Sequence, residues 1–369
     1  MAIKNKKKRI LCVLDSHHGE LFNIIPMLHH WATNNELSGH HIDFIYIGHL
    51  LTNHQISEEL SDLKKYINFK VYLIKIVCPK LSTFKKVINF LKLTRRILFG
   101  GKHYLTLIPY DQKYIFYVLM NLKKTKLLAM PHTTGSEVYS KGVFKDRKLR
   151  RPKSFPVLVK SPESEEYFNA LGFKKLIVGG NYSNSAKYIK SKLINFELDS
   201  ISRLCIFSLG RETKMFSEAE WINTHDQVIS AAFKSGFKTI YFKMHPSQPY
   251  SDFRLISERF NNSPIEIKLI KGHPIDSAIK FDVFITILTS AGQHAIDFGK
   301  SVCCYATIEM RKQVNEFGND PYPYRPFPIP EISEKKELLN WLNKVKKIRK
   351  SSSIKNEMLL SLNDVMKAF

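Results

Sequence analysis

Short apolar runs alternate with longer segments of helical periodicity along nearly the whole chain, and this alternation restricts the folds that the chain can adopt. In the first half the apolar runs comprise residues 10–14, 42–47, 71–77, 126–130, 156–160 and 176–178. In the second half they comprise residues 204–209, 239–244, 265–270, 283–288 and 302–305. Runs of this length between helices are typical of strands in βαβ units. We therefore predict an α/β fold in which helices cover parallel sheets.

A break in this pattern near the middle of the chain indicates two domains. Gly179, Gly180 and Asn181 interrupt the apolar runs, and polar residues 183–185 follow. The chain of 369 residues is also longer than one ordinary core, which takes ~100 to 200 residues. The domains that we predict are residues 1–182 as an N-terminal domain, residues 183–333 as a C-terminal domain, and residues 334–369 as a C-terminal basic helical segment.

The chain is strongly basic, with 57 Lys and Arg against 33 Asp and Glu and a net charge of +24. A positive field of this size attracts phosphates, anionic lipid surfaces or nucleic acid. The basic residues concentrate between residues 64 and 96 and between residues 145 and 153, although a solvated lysine-rich surface gives the same counts. Because the sequence has no zinc finger, helix-turn-helix signature or interleaved aromatic and basic residues, we expect no nucleic-acid partner.

The apolar runs are too short to cross a membrane. A bilayer span needs ~20 apolar residues, and the N-terminal apolar run is too short for a signal peptide. We therefore expect a cytoplasmic protein, with peripheral contact to the inner face of the cytoplasmic membrane as a further expectation. Residues 334–350 predict a basic amphipathic helix whose apolar side comprises Leu338, Leu339, Trp341 and Leu342. That side fits packing on a domain as well as contact with an anionic membrane.

Neither the cysteines nor the histidines predict a metal site. The cysteines, at positions 12, 78, 205, 303 and 304, show no zinc-type spacing and lie mostly in apolar runs, which indicates reduced side chains in the core. The histidine pairs at positions 17/18, 29/30 and 40/41 match no known ligand set. We therefore expect no bound metal.

Three loops of the second half are candidates for a ligand site. They comprise residues 210–213, 243–246 and 289–294, and each follows a predicted strand. Open α/β sheets bind ligands at the carboxyl ends of their strands, so we expect these loops to meet in one site. The residues that we assign to this site are Gly210, Arg211, Lys243, His245, Pro246, Thr289, Ser290 and Gly292.

The chemistry of these loops fits a phosphate. Glycine lets the backbone approach a ligand, the Arg211 guanidinium can bind two phosphate oxygens, and the His245 imidazole can donate a hydrogen bond. The hydroxyls of Thr289 and Ser290, with the free amides at a helix start, form an anion site. Each loop also has an ordinary structural interpretation as a cap, and their occurrence at equivalent places favours the ligand site.

His245-Pro246, followed by Thr289-Ser290, resembles the paired HP and S/T-S motifs of bacterial GT-B transferases with cytidine-nucleotide donors, including capsule and lipopolysaccharide Kdo- and sialyltransferases. In those families the motifs hold the nucleotide phosphate of the donor. The resemblance implies an α/β GT-B architecture, in which two Rossmann-like domains face a central cleft. It also implies that the N-terminal domain binds the acceptor and that the C-terminal domain binds the nucleotide donor.

Two residues of the N-terminal domain are candidates for the catalytic base. Gly19-Glu20, with Pro26 and Leu28, resembles the S-x-G-E…P-L segment of lipid A Kdo transferases, whose glutamate is the base. Glu20 also fits a purely structural role, because the helix dipole favours an acid in the first turn. His132 resembles the histidine of the H-G-T segment in teichoic acid glycerophosphotransferases, and it is the rival candidate.

The resemblance implies a metal-independent glycosyltransferase. It would move Kdo, a sialic acid or a related nonulosonate from a CMP-activated donor to a bacterial surface polysaccharide or lipid-linked acceptor. A base takes the proton of the acceptor hydroxyl while basic groups stabilise the leaving phosphate, and His18 and Glu137 are assigned to the acceptor site. The alternative is a CDP-polyol phosphotransferase of the teichoic acid or capsule type. The expected partners are a nucleotide-sugar donor and a glycan or glycolipid acceptor, with no further cofactor.

Overall fold

A computed structural model of the protein describes residues 8–14, 18–47, 56–57, 60–74, 82–101, 103–109, 119, 122, 125–130, 155–160, 162, 165, 168–169, 172–182, 185–193, 203–208, 210–211, 215–244, 248–270, 274–289, 291–318, 329–346 and 358–369. Contacts divide the chain into two units. The first unit comprises Met1–Glu137, Leu149–Ser191 and Asn356–Phe369, and the second unit comprises Val138–Lys148 and Lys192–Lys355. Within residues 334–369, the described residues 334–346 belong to the second unit and residues 358–369 belong to the first unit.

The first unit contains a sheet of seven parallel strands. Its strands are β1 (Lys8–Leu14), β2 (His40–Tyr46), β3 (Asn68–Leu73), β4 (Leu105–Pro109), β5 (Lys126–Met130), β6 (Val157–Val159) and β7 (Leu176–Val178). They lie in the order β3-β2-β1-β4-β5-β6-β7. Ile10 in β1 is in register with Ile42 on one side and with Leu105 on the other. The strand order therefore reverses between β1 and β4, as in a Rossmann-like sheet.

Helices of the first unit bury one side against this sheet. They are α1 (His18–Thr33), α2 (Thr83–Phe99) and α3 (Ala186–Leu193), with a short 3₁₀ helix at Ser61–Lys65. In α1 the predicted apolar positions Ile24, Ile25, Leu28 and Trp31 are buried, as the spacing of a helix with one core-facing side requires. The residues of β1 from Ile10 to Leu14 are also buried, which is typical of a parallel strand covered on both faces.

The second unit repeats this arrangement with six parallel strands. Its strands are β8 (Leu204–Ser208), β9 (Thr239–Met244), β10 (Glu266–Ile270), β11 (Val283–Ile287), β12 (Ser301–Tyr305) and β13 (Glu331–Ile332). They lie in the order β10-β9-β8-β11-β12-β13. The order reverses between β8 and β11, whose residues Cys205 and Phe284 are in register. The predicted α/β class with two doubly wound sheets is confirmed.

In the described part of the second unit, six helices pack around this sheet. They are α4 (Glu218–Lys234), α5 (Tyr250–Arg259), α6 (Pro274–Lys280), α7 (Gly292–Asp297), α8 (Ile308–Gly318) and α9 (Lys335–Val345). Leu338, Leu342 and Val345 of α9 are buried in the core that α4 and the sheet also form. Of the two interpretations of this amphipathic helix, packing on a domain is therefore confirmed, and its apolar side is occupied by the core.

The chain returns to the first unit after α9. The last helix, α10 (Leu362–Lys367), follows a segment in which Leu360 N donates a hydrogen bond to Gly179 O at 3.2 Å. Leu360 O accepts hydrogen bonds from Trp31 Nε1 at 3.1 Å and from Tyr182 OH at 3.0 Å. These contacts attach the C-terminal residues to α1 and to the segment after β7.

Candidate functional site

The topological switch point of the second sheet brings the predicted ligand loops together. Strands β9, β8 and β11 are neighbours and run parallel, so their carboxyl ends lie at one edge. Gly210 and Arg211 follow β8, Lys243 is the penultimate residue of β9, and Thr289 follows β11. Ligands of doubly wound sheets bind at this edge, beside the strands where the order reverses. His245, Pro246 and Ser290 lie outside the described residues.

Arg211 pairs with two carboxylates at this edge. Its Nε lies 3.1 Å from Asp252 Oδ1, and its Nη1 lies 2.7 Å from Glu218 Oε1. The Arg211 backbone N also donates to Asp252 Oδ2 at 3.0 Å, and Gln248 Nε2 donates to the same oxygen at 3.1 Å. The hydrogen bond with Glu218 is the main cause that raises the pKa of Arg211, and Asp252 adds to it. Arg211 therefore holds the Gly210 loop against α5, and any bound anion would compete with both carboxylates.

Lys243 is a buried residue in the interior of the second unit. Its neighbour Phe242 belongs to the core that covers one face of the sheet, so alternation along β9 places Lys243 on the opposite face. Burial raises the pKa of Cys205 well above its usual range, while the charge of Lys243 lowers it by less. The Lys243 side chain is therefore buried, and its charge acts on the Cys205 thiol.

The chain is strained directly before Thr289. Leu288 is buried and has a φ of 51°, which lies in the left-handed region that bulky residues rarely occupy. Thr289 Oγ1 accepts a hydrogen bond from Ala291 N at 3.3 Å, which closes a short turn. Strain of this kind persists only where the surroundings impose it, and it concentrates at functional sites. The strand was predicted to include Leu288, but it ends at Ile287 because the chain turns at Leu288.

Gly292 has a packing role at the start of α7. A methyl group in place of its hydrogen would overlap Thr286 Cγ2 and would lie 3.3 Å from Val302 Cγ1. The sequence assigned Gly292 to the nucleotide site, and the structure gives it a second reason to be glycine, because α7 approaches β11 and β12 closely there.

Substitution of Gly292 by alanine is expected to lower the free energy of unfolding by about 2 kcal/mol, the usual cost of overpacking a core. Urea denaturation measures this change. Substitution of Gly236 by alanine is not a suitable control, because its φ of 90° adds strain. Gly210→Ala is suitable, because its added methyl group would lie 3.2 Å from the flexible Gln248 side chain. An equal loss in both variants would contradict the close approach at Gly292.

A buried serine–histidine pair at the same strand end was not predicted from the sequence. Ser208, the last residue of β8, has its Oγ 2.8 Å from His225 Nε2, and His225 Nδ1 lies 2.7 Å from Trp221 O. Since a carbonyl only accepts, Nδ1 carries the proton and Nε2 accepts from the Ser208 hydroxyl. The sequence does contain one indication of a buried histidine here, because His225 lies four residues after Trp221 on the apolar side of α4.

The candidate residues of the first unit are only partly described. Strand β1 ends at Leu14 beside the switch point of its sheet, and α1 begins soon afterwards with His18 and Glu20 in its first turn. This places the backbone of both residues at the carboxyl edge, as predicted for a ligand site. The side chains of His18 and Glu20, and His132 and Glu137 as a whole, lie outside the described residues.

A second charged cluster lies at the opposite edge of the first sheet. Asp43 is buried in the middle of β2, where His103 Nε2 lies 3.2 Å from its Oδ2 and Arg9 Nε donates to the same oxygen at 3.1 Å. Burial raises the pKa of Asp43, but the hydrogen bonds from His103 and Arg9 outweigh burial and lower it overall. This cluster ties β1 and β2 to the segment before β4, away from the ligand edge.

Two features are absent from the described part of the chain. No group of three or more His, Cys, Asp or Glu side chains there is arranged to hold a metal ion. No described helix combines the length and the apolar character that crossing a membrane requires. Of the described cysteines, those at positions 12, 205, 303 and 304 are buried and in the reduced form. Burial raises the pKa of Cys303 well above its usual range, so its thiol is unreactive.

Solved structures resemble the chain over almost its whole length, although no family model and no curated protein matches its sequence. The UDP-GlcNAc 2-epimerase from Neisseria meningitidis bound to UDP-GlcNAc has a TM-score of 0.59 and 13% identity, covering 94% of this chain and 96% of that chain. The UDP-GlcNAc 2-epimerase from Methanocaldococcus jannaschii in complex with UDP-GlcNAc and UDP has a TM-score of 0.61 and 12% identity, covering 95% and 96%.

A plant protein gives a similar match. Arabidopsis thaliana UGT89C1 complexed with UDP-L-rhamnose has a TM-score of 0.57 and 12% identity, covering 92% of this chain and 90% of that chain. Sequence identities at this level are informative about architecture alone. Together with the two doubly wound sheets, these likenesses show that the chain has the GT-B fold with two Rossmann-like domains.

Proposed function

We propose that the protein is a glycosyltransferase that binds a nucleotide-activated sugar at the carboxyl edge of its second sheet. The observation that carries the proposal is the strand order β10-β9-β8-β11-β12-β13, which sets Gly210 and Thr289 on the two sides of the switch point. The strained Leu288 beside Thr289 supports a ligand site there. The GT-B neighbours that are bound to UDP or UDP-sugars support the class of donor.

The donor that we propose carries a pyrimidine nucleotide. The HP and S/T-S motifs favour a CMP-activated sugar, namely Kdo, a sialic acid or a related nonulosonate, whereas the structural neighbours are bound to UDP or UDP-sugars. A direct comparison of CMP, CDP and UDP by calorimetry identifies the nucleotide. The proposal of CMP is supported if CMP binds most tightly, and it is replaced by UDP if UDP does.

The proposed roles follow from the sequence motifs and, for Arg211, from its contacts. His245 with Thr289 and Ser290 would bind the donor phosphate without a metal, and Glu20 or His132 would take the proton of the acceptor hydroxyl. The acceptor would be a surface polysaccharide or a lipid-linked glycan near His18 and Glu137. The pairing of Arg211 with Asp252 and Glu218 supports a positioning role for Arg211, which keeps the Gly210 backbone in place for the ligand.

Replacing His245 with alanine is expected to weaken binding of the preferred nucleotide at least about tenfold, because a hydrogen bond to a charged phosphate is lost. Calorimetry with the free nucleotide measures this change. Arg254→Ala is the control, since Arg254 is exposed on α5 and pairs with Glu258, and it removes one positive charge from the same unit. Unchanged affinity in the His245 variant would contradict the proposed site.

An epimerase is the second candidate function. UDP-GlcNAc 2-epimerases with the same fold cover 94% to 95% of this chain. Incubation with UDP-GlcNAc alone separates the two functions, because an epimerase changes the configuration at C2 without an acceptor while a transferase does not. The CDP-polyol phosphotransferase suggested by the sequence is distinguished by release of CMP from CDP-glycerol.

A further inference from the structure

Helix α2 has apolar residues on two opposite sides. Leu93 and Ile97 are buried and belong to the core on one face of the first sheet. Phe84, Val87 and Leu91 follow the spacing i, i+3, i+7, so they share the other side of the helix. They are exposed to 74%, 51% and 60%, and Phe99 at the end of the helix is exposed to 80%. Nothing in the described part of the chain covers this outer side.

A helix at the surface of a globular domain normally directs polar residues outward. Helix α9 follows this rule, because its apolar residues lie in the core and Lys336 and Lys344 are exposed. Helix α2 breaks it with bulky side chains, which indicates that its outer side has an apolar partner.

The charge of α2 identifies the kind of partner. The helix has the sequence TFKKVINFLKLTRRILF, which contains five basic residues and no acidic residue. Lys85, Lys92 and Arg95 are exposed next to the outer apolar side. Arg96 does not belong to this exposed basic group, because its guanidinium lies 3.6 Å from the centre of the Tyr72 ring. Exposed apolar side chains flanked by Lys and Arg are the features of a helix that lies in the surface of an anionic bilayer.

We propose that the outer side of α2 binds an anionic phospholipid surface, with Phe84, Val87 and Leu91 entering the headgroup boundary. A second copy of the chain fits this surface poorly. Each α2 helix has five positive charges, and these would repel one another if two α2 helices packed together. The net charge of +24 on the whole chain adds long-range attraction to anionic lipid. This binding does not depend on the proposed reaction, and it would hold the protein beside a lipid-linked acceptor.

Flotation of the full chain with vesicles tests the proposal. The chain is expected to float with vesicles of phosphatidylcholine mixed with phosphatidylglycerol, to bind pure phosphatidylcholine far less, and to dissociate at high salt. The double variants F84S/L91S and K85E/K92E are each expected to bind at least about tenfold more weakly. Because these side chains are exposed, thermal unfolding should remain close to that of the unchanged chain.

The control is K336E/K344E, which makes the same change of net charge on α9 and is expected to bind almost normally. Equal loss in this control would overturn the proposal, because total charge rather than α2 would then determine binding. The proposal is also overturned if the F84S/L91S variant floats like the unchanged chain. The proposal is likewise overturned if the protein does not bind anionic vesicles but forms a dimer that F84S/L91S abolishes. Nucleotide affinity, measured without vesicles, is expected to be unchanged in all three variants.

Discussion

Replacing Asp252 with alanine is expected to lower the free energy of unfolding by about 3 kcal/mol, because three donors lose one buried acceptor. The Asp252 side chain is 0% exposed. Its carboxylate accepts from Arg211 N at 3.0 Å, Arg211 Nε at 3.1 Å and Gln248 Nε2 at 3.1 Å. The Arg211 side chain is 24% exposed, so water recovers part of the loss. Urea denaturation at neutral pH measures the change.

The matched control removes the other carboxylate of the same arginine. Glu218 Oε1 lies 2.7 Å from Arg211 Nη1, but the Glu218 side chain is 59% exposed. An exposed ion pair contributes little, so Glu218→Ala is expected to change the free energy of unfolding by less than about 1 kcal/mol. If the two variants lost equal stability, the burial of Asp252 would not be the source of its contribution.

Asp252→Ala is also expected to weaken nucleotide binding in the folded protein. Asp252 fixes the backbone of Arg211, and Gly210 lies close to Gln248, which also donates to Asp252. Without this carboxylate the loop after β8 loses its anchor on α5, and an anion site made of backbone groups depends on such pre-organisation. Calorimetry on the folded variant, below its unfolding temperature, separates this effect from the loss of stability.

The fold could be predicted because parallel strands that are buried on both faces leave continuous apolar runs in the sequence. The predicted strands at 204–209 and 283–288 each extend one residue beyond the observed β8 and β11. Strands β4 and β13 were not predicted. Leu105–Pro109 is short and ends in a proline, and Glu331–Ile332 comprises only two residues after a proline-rich stretch, so neither leaves a periodic pattern.

The place of the candidate site could be predicted, but its polar contacts could not. Loops after parallel strands share one edge whatever their sequence, which is why Gly210 and Thr289 were assigned correctly to strand ends. The contact of Arg211 with Asp252 joins residues that are 41 positions apart, and it depends on how α5 packs. The periodicity of apolar residues indicates which side of a helix is buried. It does not indicate which polar group of another element lies against that helix.

Acidification is expected to destabilise the second unit through His225. This imidazole is fully buried, and burial lowers its pKa to about 4, while its hydrogen bond to Trp221 and the charges of Asp226 and Asp252 raise it by less. In the unfolded chain the pKa of histidine is about 6.5. Between these two values the unfolded chain binds more protons than the folded chain, so the free energy of unfolding falls as the pH falls.

The contribution of His225 is fully present above about pH 6.5 and is lost by about pH 4, and its size is about 3 kcal/mol. The test is to follow urea denaturation across this range in the unchanged chain and in His225→Gln. Glutamine does not titrate, and its amide oxygen can accept from Ser208 as His225 Nε2 does. The unchanged chain is expected to lose about 3 kcal/mol more than the variant on acidification.

Parallel curves of unfolding free energy against pH would show that His225 keeps an ordinary pKa and would contradict the buried, neutral imidazole.

The Asp252 variant gives an independent check of the same group. The charge of Asp252 raises the pKa of His225, so its removal is expected to lower that pKa further and to extend the pH-dependent loss of stability to lower pH. The chemical shift of the His225 ring proton measures this change directly. A pKa of His225 that is the same in both proteins would mean that Asp252 and His225 act independently.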